Sequence, residues 1–228
     1  MSRVLDAGGL YRLMSWLSPA YPLGAFSYSH GIEYAVEAGL VRNEAGLLAF
    51  VETALASGTG RSDGALFAAA WRAAADDEAA LPAIAARAAA WRGSAETALE
   101  TAAQGEAFLR TTRAAWPHPL LDRLAHGTTP PALPIAVAVA AAAHGVPLEP
   151  ALAAYLQSFA GNLVSAGIRL IPLGQTAGQR LVAALAPAVQ EAAAAALATP
   201  LDEVGTAAPL LDWCSMRHET QYTRLFRS

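Results

Sequence analysis

The chain has 228 residues and a net charge of −4, with a pI near 5.7, which argues against binding to nucleic acid or to an anionic membrane surface. Only 15% of its residues are charged and 54% are hydrophobic, against roughly 25% charged residues in an average soluble domain, so we expect apolar surface to be buried against a partner. All fifteen basic residues are arginines and the one cysteine is Cys214. This excludes a P-loop lysine and an internal disulfide, and it indicates a cytoplasmic protein.

Membrane spans and secretion signals have recognisable patterns that this sequence does not show. The N-terminal segment carries Asp6 and lacks the uninterrupted apolar core of a signal peptide. The apolar run 134–143 is too short to cross a bilayer, and the run 181–198 is interrupted by Pro187 and Glu191. We therefore expect no transmembrane helix.

The first predicted helix leads into a loop that is rich in aromatic residues. Residues 10–17 form a short amphipathic pattern, and the following segment 18–33, SPAYPLGAFSYSHGIE, contains the prolines and glycine that end it. Tyr21, Phe26 and Tyr28 lie in this loop. They either fold back onto the core or form an interaction surface.

Predicted helices follow one another through the middle of the chain. Asn43 is the expected N-cap of a helix over 44–57, and Asp63 is the expected start of the next. Three alanine-rich segments have high helix propensity: 65–75, 82–91 and 94–116. Glu96 and Glu100 lie four residues apart, and with no histidine nearby in sequence they are interpreted as a solvated helix face.

Residues 150–170 are predicted to form the central helix of a bundle. No charged residue lies between Glu149 and Arg169. One helical stripe is apolar: Leu152, Leu156, Phe159, Leu163, Ala166 and Leu170. A second stripe is small: Ala154, Ser158, Gly161 and Ser165. We expect that no face of this helix meets water, and that a further helix over 175–198 is kinked at Pro187.

Alternating β-branched runs are absent from the sequence, which favours an all-α protein. We predict a single domain over 1–228, a helical bundle of about nine or ten helices. The loop 126–134 joins two halves of this bundle rather than two domains.

Sequence motifs for catalysis or for a resident cofactor are missing as well. The five histidines are scattered, and the nucleophile-elbow, dinucleotide-binding and P-loop patterns are absent. We expect no enzyme activity, no cofactor and no metal site. Cys214 and His218 lie four residues apart and could hold a soft metal transiently, but a buried cysteine beside a hydrogen-bonded histidine is the favoured interpretation.

Residues 205–228 form an unusual chain end, because termini are commonly polar and frayed. Here large apolar residues alternate with arginines, and these residue types are enriched in interface hot spots. We predict that this segment is a C-terminal partner-binding tail. Docking of the tail on its own core is the alternative.

Three stretches make the sequence recognisable: the loop SPAYPLGAFSYSHGIE, the run YLQSFAGNLVSAGIRLIPLGQTAGQ and the ending SMRHETQYTRLFRS. Together they resemble the urease accessory protein UreF family, over nearly the whole chain from Leu13 to Ser228. The resemblance implies an all-α, non-enzymatic maturation factor. Proteins of this family dimerise, bind the accessory protein UreD (also called UreH) and recruit the GTPase UreG to deliver nickel to apo-urease.

The resemblance also implies roles for particular residues. The loop would face the GTPase through Phe26, Ser27, Tyr28, Ser29 and Glu33. The tail would contact UreD, and would be ordered by that partner, through Arg217, His218, Glu219, Tyr222, Arg224, Leu225 and Phe226. Tyr155 would lie near the seam of a homodimer.

Two other functions are compatible with the sequence. The all-α fold is compatible with a GTPase-activating protein, in which an arginine such as Arg169 enters the nucleotide site. Its position at the end of a buried helix argues against that role. A transient nickel carrier that uses Cys214 and His218 is the second alternative.

Overall fold

The computed structural model describes residues 4–228, which form α-helices joined by turns and short loops. The α-helices of this range are α1 (Ala7–Trp16), α2 (Ile32–Glu37), α3 (Glu44–Ala56), α4 (Thr59–Asp76), α5 (Leu81–Ala90), α6 (Ala95–Ala115), α7 (Pro119–Ala125), α8 (Leu133–Ala143), α9 (Leu148–Leu170), α10 (Gln175–Ala184), α11 (Ala186–Ala198) and α12 (Pro209–His218). No β-strand occurs among the described residues, and the all-α prediction is confirmed. The helices outnumber the expected nine or ten because α7, with 7 residues, is too short to show a periodic pattern, and because the segment predicted as one helix over 175–198 forms both α10 and α11.

Local capping explains where several helices begin. Asn43 accepts a hydrogen bond from the backbone N–H of Gly46 at 2.9 Å, which confirms it as the N-cap of α3. Ser94 caps α6 in a reciprocal pair with Thr97. The prediction for Asp63 was wrong, because α4 begins at Thr59 and Asp63 is buried in its second turn.

Helix α8 lies at the centre of the core. Every residue from Pro134 to Ala141 is buried, and the helix packs against α4, α6, α7 and α9. Its small and branched apolar side chains leave no polar group to satisfy. The approach of α6 depends on Gly105, since a Cβ atom there would lie 1.9 Å from the carbonyl oxygen of Pro131.

Helix α9 has one buried and one partly exposed side. Leu152, Leu156 and Leu163 are buried, as the apolar stripe predicts. The expectation that no face meets water was wrong, because Gln157 is exposed and the small-residue stripe is half-exposed. The prediction failed because this side of α9 carries polar side chains, among them Gln157, which remain in contact with water.

The predicted kink near Pro187 is confirmed as a break between two helices. Helices α10 and α11 are separated by Leu185 and bent by 42°, and Pro187 occupies the first turn of α11, where its missing N–H is tolerated. Within residues 4–228, each helix taken singly falls short of the length and apolarity needed to cross a bilayer, and only the bent α10–α11 pair reaches them jointly.

The close approach at Gly105 gives a stability prediction. Gly105→Ala forces a methyl group into the backbone at Pro131, and we expect it to lower the free energy of unfolding by about 1–3 kcal/mol or more. Gly46→Ala is the matched control, because its Cβ would meet only ordinary contacts beyond 3.4 Å. It should be neutral or stabilising by up to about 1 kcal/mol. Urea unfolding followed by circular dichroism measures both, and equal stabilities for the two variants would contradict the packing argument.

Candidate functional site

The last helix packs onto the rest of the bundle through α2 and α6. Its buried side consists of Leu211, Cys214, Ser215 and His218. The contact with α2 is close because Gly31, at φ +80°, precedes that helix. A Cβ atom on Gly31 would lie 2.8 Å from the backbone nitrogen of Ser215, so a larger residue there would separate the two helices.

His218 lies between two carboxylates and is fully buried. Its Nε2 is 2.9 Å from Oε2 of Glu33, and its Nδ1 is 2.7 Å from Oε2 of Glu96. Ionised carboxylate oxygens only accept hydrogen bonds, so both ring nitrogens donate when both contacts are hydrogen bonds. Through these two contacts the ring joins α12 to α2 and α6.

The same two carboxylates hold the segment after α12. Residues 219–228 form no helix or strand. The backbone N–H groups of Leu225 and Phe226 donate to Glu33 at 2.6 and 2.9 Å. Arg224 donates to Oε1 of Glu96 at 2.8 Å. The segment is therefore docked on its own chain.

The end of the segment runs beside the aromatic loop. The backbone N–H of Ser29 donates to the backbone oxygen of Ser228 at 2.7 Å, and the hydroxyl of Ser29 donates to the same oxygen. The N–H of Arg227 donates to the carbonyl of Ser27 at 2.7 Å. Loop and tail thus pair through their backbones.

Arg169, near the end of α9, connects the loop to the tail. Its guanidinium carbon lies 3.7 Å from the ring centroid of Phe26 and 4.3 Å from that of Phe226. The guanidinium also donates to the carbonyl oxygens of Phe26 and Ser165, at 2.9 and 3.1 Å. We call residues 24–33 and 209–228 together the loop–tail surface, since these contacts make them continuous.

A second buried polar cluster surrounds a cavity of about 440 Å³. Arg92 forms a buried ion pair with Asp63 at 2.7 Å, and the Tyr155 hydroxyl donates to the other oxygen of Asp63 at 2.8 Å. Burial and the charge of Asp63 raise the pKa of Tyr155 well above its usual value. This phenol is therefore a hydrogen-bond donor to the carboxylate and not a titrating group.

His30 joins this cluster to the loop–tail surface. It is the one non-glycine residue with positive φ, 57°, among the described residues, and its Nε2 lies 2.8 Å from the hydroxyl of Thr59. Its Nδ1 faces Oε2 of Glu100 at 3.5 Å, an ion-pair distance when the ring is charged. The hydroxyl of Ser228 donates to the same oxygen of Glu100 at 2.7 Å.

The pKa values of His30 and Glu100 move apart. Burial lowers the pKa of His30, but its contact with Glu100 and the charge of Asp63 outweigh burial, so the net pKa is raised. Burial raises the pKa of Glu100, but His30 and the Ser228 hydroxyl outweigh it, and the net pKa is lowered. Both shifts favour the charged pair.

Most of the predicted loop residues are covered by the protein. Tyr28, Ser29 and Glu33 are buried, and only Phe26, 68% exposed, offers a large side chain to a partner. Tyr21 also folds back, with its ring 5.5 Å from that of Phe108. The aromatic loop therefore contributes both to the core and to the surface.

The predicted tail residues divide into two groups. His218 and Phe226 are buried. The exposed members are Arg217, Glu219, Tyr222, Arg224 and Leu225. Tyr222 is fully exposed and Leu225 is 65% exposed, so these two apolar side chains are free for contact with another molecule.

Tyr155, placed near a dimer seam by the resemblance, is only 4% exposed. Its ring lies 5.3 Å from that of Phe67, and its hydroxyl is bound to Asp63. Within the protomer this side chain is covered, and the part of α9 that faces outward carries Ala154 and Gly161 instead.

The interpretation of Glu96 and Glu100 as a solvated helix face was wrong. Glu96 is 7% exposed, and the Glu100 side chain is 12% exposed. Their histidine partners come from positions 218 and 30, far away in sequence. A signal was present, because Glu100, Gln104 and Phe108 follow one another at steps of four, which joins the glutamate to a helical stripe that contains a core aromatic residue.

Cys214 and His218 do not form an open metal site. Burial raises the pKa of the Cys214 thiol to about 11, and both ring nitrogens of His218 are bound to carboxylates. In the described part of the chain, residues 4–228, no three His, Cys, Asp or Glu side chains are grouped so as to hold a metal ion.

Comparison with known proteins gives consistent matches. A family model described as UreF matches residues 41–186. Urease accessory protein UreF of Granulibacter bethesdensis is 56% identical over 221 residues, which is 96% of this chain and 94% of the relative. The UreF proteins of Rhodopseudomonas palustris and Bradyrhizobium diazoefficiens are 51% and 50% identical over 225 residues, covering 98% of this chain and 93% of each relative.

The hydrogen bond from Tyr155 to Asp63 allows a matched test of the buried cluster. Tyr155→Phe leaves a buried carboxylate without one donor, and we expect a loss of about 1.5–3 kcal/mol in unfolding free energy. Tyr21→Phe removes a hydroxyl bound to the neutral Thr112 at a half-buried site, and about 0.5–1.5 kcal/mol should be lost. Chemical denaturation of both variants measures the difference. A smaller loss for Tyr155→Phe than for Tyr21→Phe would show that Asp63 does not depend on this donor.

Proposed function

The chain belongs to the UreF family of urease accessory proteins, and on this basis we propose that it is a non-enzymatic urease maturation factor, a nickel-insertion chaperone in the cytoplasm. In this role it links the accessory protein UreD (UreH) and the GTPase UreG to apo-urease. Nickel is the cargo of the assembly and not a resident cofactor of this chain. The location is supported by the single cysteine, which is free and buried.

The observation that carries the proposal is the Arg169 stack. It joins Phe26 of the loop to Phe226 of the tail, the two segments that we assign to UreG and to UreD. An adaptor needs its two partner sites to be held in a fixed relation. A guanidinium between two rings, with two carbonyl acceptors, provides a rigid connection of this kind.

On the UreD side, the tail offers exposed apolar and charged groups. Tyr222 and Leu225 are exposed, and Glu33 fixes the backbone at Leu225, so little conformational entropy is lost there on binding. Arg217 and Glu219 of the same tail are also exposed. The buried side chains of His218 and Phe226 lie beneath these exposed groups.

On the UreG side, Phe26 is the exposed contact. Ser27, Ser29 and Glu33 hold the loop and tail backbones against each other. Tyr28 anchors the loop in the core. We therefore assign Phe26 to direct contact and the other four loop residues to positioning it.

A homodimer completes the proposal, and a neutral groove supports it. A depression of about 310 Å³ between α9, α10 and α11 is lined by small apolar residues together with Gln157 and Gln190. Two copies that each carry a charge of −4 meet with least repulsion through an uncharged surface. The seam expected near Tyr155 is then formed by the outward side of the same helix, at Ala154 and Gly161.

The position of Arg169 argues against a GTPase-activating role. An arginine finger must extend into a partner's nucleotide site. Arg169 is instead held by two rings and two carbonyl groups of its own chain. Leaving this arrangement would separate the loop from the tail.

Binding to UreD can be tested without disturbing the core. The double variant Tyr222→Ala, Leu225→Ala should lose copurification with UreD, and with it UreG, because both side chains are exposed. Its melting temperature should change by no more than about 1–2 °C. Leu40→Ala removes another exposed apolar side chain, 46% exposed, and should bind normally. Undiminished binding of the double variant would refute the tail assignment.

The dimer can be tested by adding a charge to the outward side of α9. Ala154→Glu places a carboxylate in the neutral groove and should give a folded monomer in sedimentation experiments, since burying an unpaired charge costs several kcal/mol. Ala49→Glu makes the same change on the exposed side of α3 and should leave the dimer intact. A dimeric Ala154→Glu protein would place the seam elsewhere.

A further inference from the structure

The cavity of about 440 Å³ is bordered by two buried nitrogen atoms that the fold leaves unpaired. Nη2 of Arg92 has no hydrogen-bond partner among residues 4–228, whereas Nη1 of the same guanidinium donates to Asp63. Nδ1 of His30 is also unpaired in that range, and it lies 3.5 Å from Oε2 of Glu100. The Arg92 side chain is 4% exposed and His30 is 7% exposed. Leaving such groups unsatisfied is costly, so each is available to a ligand in the cavity.

Helix α4 brings these two side chains together. Nε2 of His30 lies 2.8 Å from the hydroxyl of Thr59, and Arg92 pairs with Asp63 at 2.7 Å. Thr59 and Asp63 are four residues apart in α4, and side chains at that spacing are neighbours on a helix surface. The unpaired nitrogens of His30 and Arg92 therefore belong to one site.

Hydrogen-bond acceptors border the same cavity. Asp63 and Glu100 each accept two hydrogen bonds from side chains of the protein, and a carboxylate has about four positions for them. The two carboxylates face two basic groups, Arg92 and His30. A neutral ligand preserves this balance, whereas an anion adds a further negative charge to a buried site. The site thus suits a neutral molecule that both donates and accepts hydrogen bonds.

Apolar side chains line the cavity as well. Leu133, Val137 and Phe159 contribute to its wall, and the ring of Phe159 lies 5.5 Å from that of His30. The cavity is more than about ten times the ~30 Å³ that one water molecule occupies in the liquid, so a small organic molecule fits. The exposed residues Pro19 and Gln179 also border it, which gives a ligand access from the surface.

From this arrangement we propose that the cavity is a binding site for a small neutral primary amide, the chemical class of acetamide and urea. The carbonyl oxygen of the amide accepts hydrogen bonds from Arg92 and His30. Its N–H groups donate to Glu100 or Asp63, and an apolar substituent packs against Phe159. The inference concerns the isolated chain and does not rest on the proposed partners.

Saturation-transfer NMR on the full chain at about pH 7 compares three probes of nearly the same size and shape. Acetamide offers a carbonyl oxygen and N–H donors, acetone offers the carbonyl oxygen alone, and acetate is an anion without N–H groups. The methyl signal of each probe reports binding as its concentration is raised. We expect acetamide to bind with a Kd on the order of 1–10 mM, as suits so small a ligand. Acetone and acetate should bind about tenfold more weakly or less.

Two variants remove the unpaired nitrogens one at a time. Arg92→Lys keeps a cation beside Asp63 but removes Nη2, and the affinity for acetamide should fall about tenfold. His30→Asn removes Nδ1, keeps a residue type that tolerates positive φ, and should cause a similar loss. It keeps the test valid if Arg92→Lys does not fold. His144→Gln changes a histidine that lies outside the cavity and is bound to the Trp116 carbonyl, and it should bind acetamide like the parent protein.

Circular dichroism identifies the variants that are folded. A preference for acetamide over acetone and acetate, together with weaker binding in a folded Arg92→Lys or His30→Asn protein, supports the site. Equal binding of acetone and acetamide would indicate an apolar void, and tighter binding of acetate would indicate an anion site; either result overturns the proposal. It is also overturned if acetamide gives no saturable signal, if both folded cavity variants bind acetamide like the parent, or if His144→Gln weakens binding equally.

Discussion

The position of the C-terminal region depends on the contacts that Glu33 and Glu96 make with His218 and with the segment that follows it. Buried carboxylates are costly unless they are paired and hydrogen-bonded. Here the two carboxylates contact the ring nitrogens of His218, the guanidinium of Arg224 and two backbone N–H donors. This buried cluster therefore determines the relative orientation of α2, α6 and α12 more than it increases the free energy of unfolding. The reason is that pairing mainly offsets the cost of burying the charged groups.

The small residues of the chain make this arrangement possible. Gly31 lets α2 begin against the backbone of α12, and Gly105 lets α6 lie against the segment that leads into α8. An alanine-rich bundle packs its helices closely but contributes little apolar area per side chain. Orientation of the helices is then left to a few large groups, such as Trp16, Phe67 and Phe108, and to the buried ion pairs. Buried polar contacts therefore help to determine the helix orientations that a core of small residues leaves undetermined.

Local features of the fold could be predicted from the sequence, and contacts between distant residues could not. The all-α class, the Asn43 cap and the break at Pro187 depend on residues within one or two turns. Glu96 and Glu100 were misread because their histidines lie at positions 218 and 30. Burial was also misjudged: α8 is the fully enclosed helix, whereas α9 is long enough to carry a polar side. A stripe pattern shows which face is apolar but not how many neighbours cover the others.

The loop and the tail carry different residue types, but their mutual contacts join them into one structural unit. Glu33 belongs to α2 beside the loop and fixes the tail backbone, whereas Phe226 belongs to the tail and stacks on the arginine that holds the loop. A change in any buried member alters both segments, so a loss of binding in such a variant says nothing about which segment touches which partner. Exposed side chains, such as Phe26 on one side and Tyr222 with Leu225 on the other, are the ones whose replacement can distinguish direct contact from support. The contacts that anchor the surface are therefore part of the fold, and the groups available for recognition are the few that the anchoring leaves uncovered.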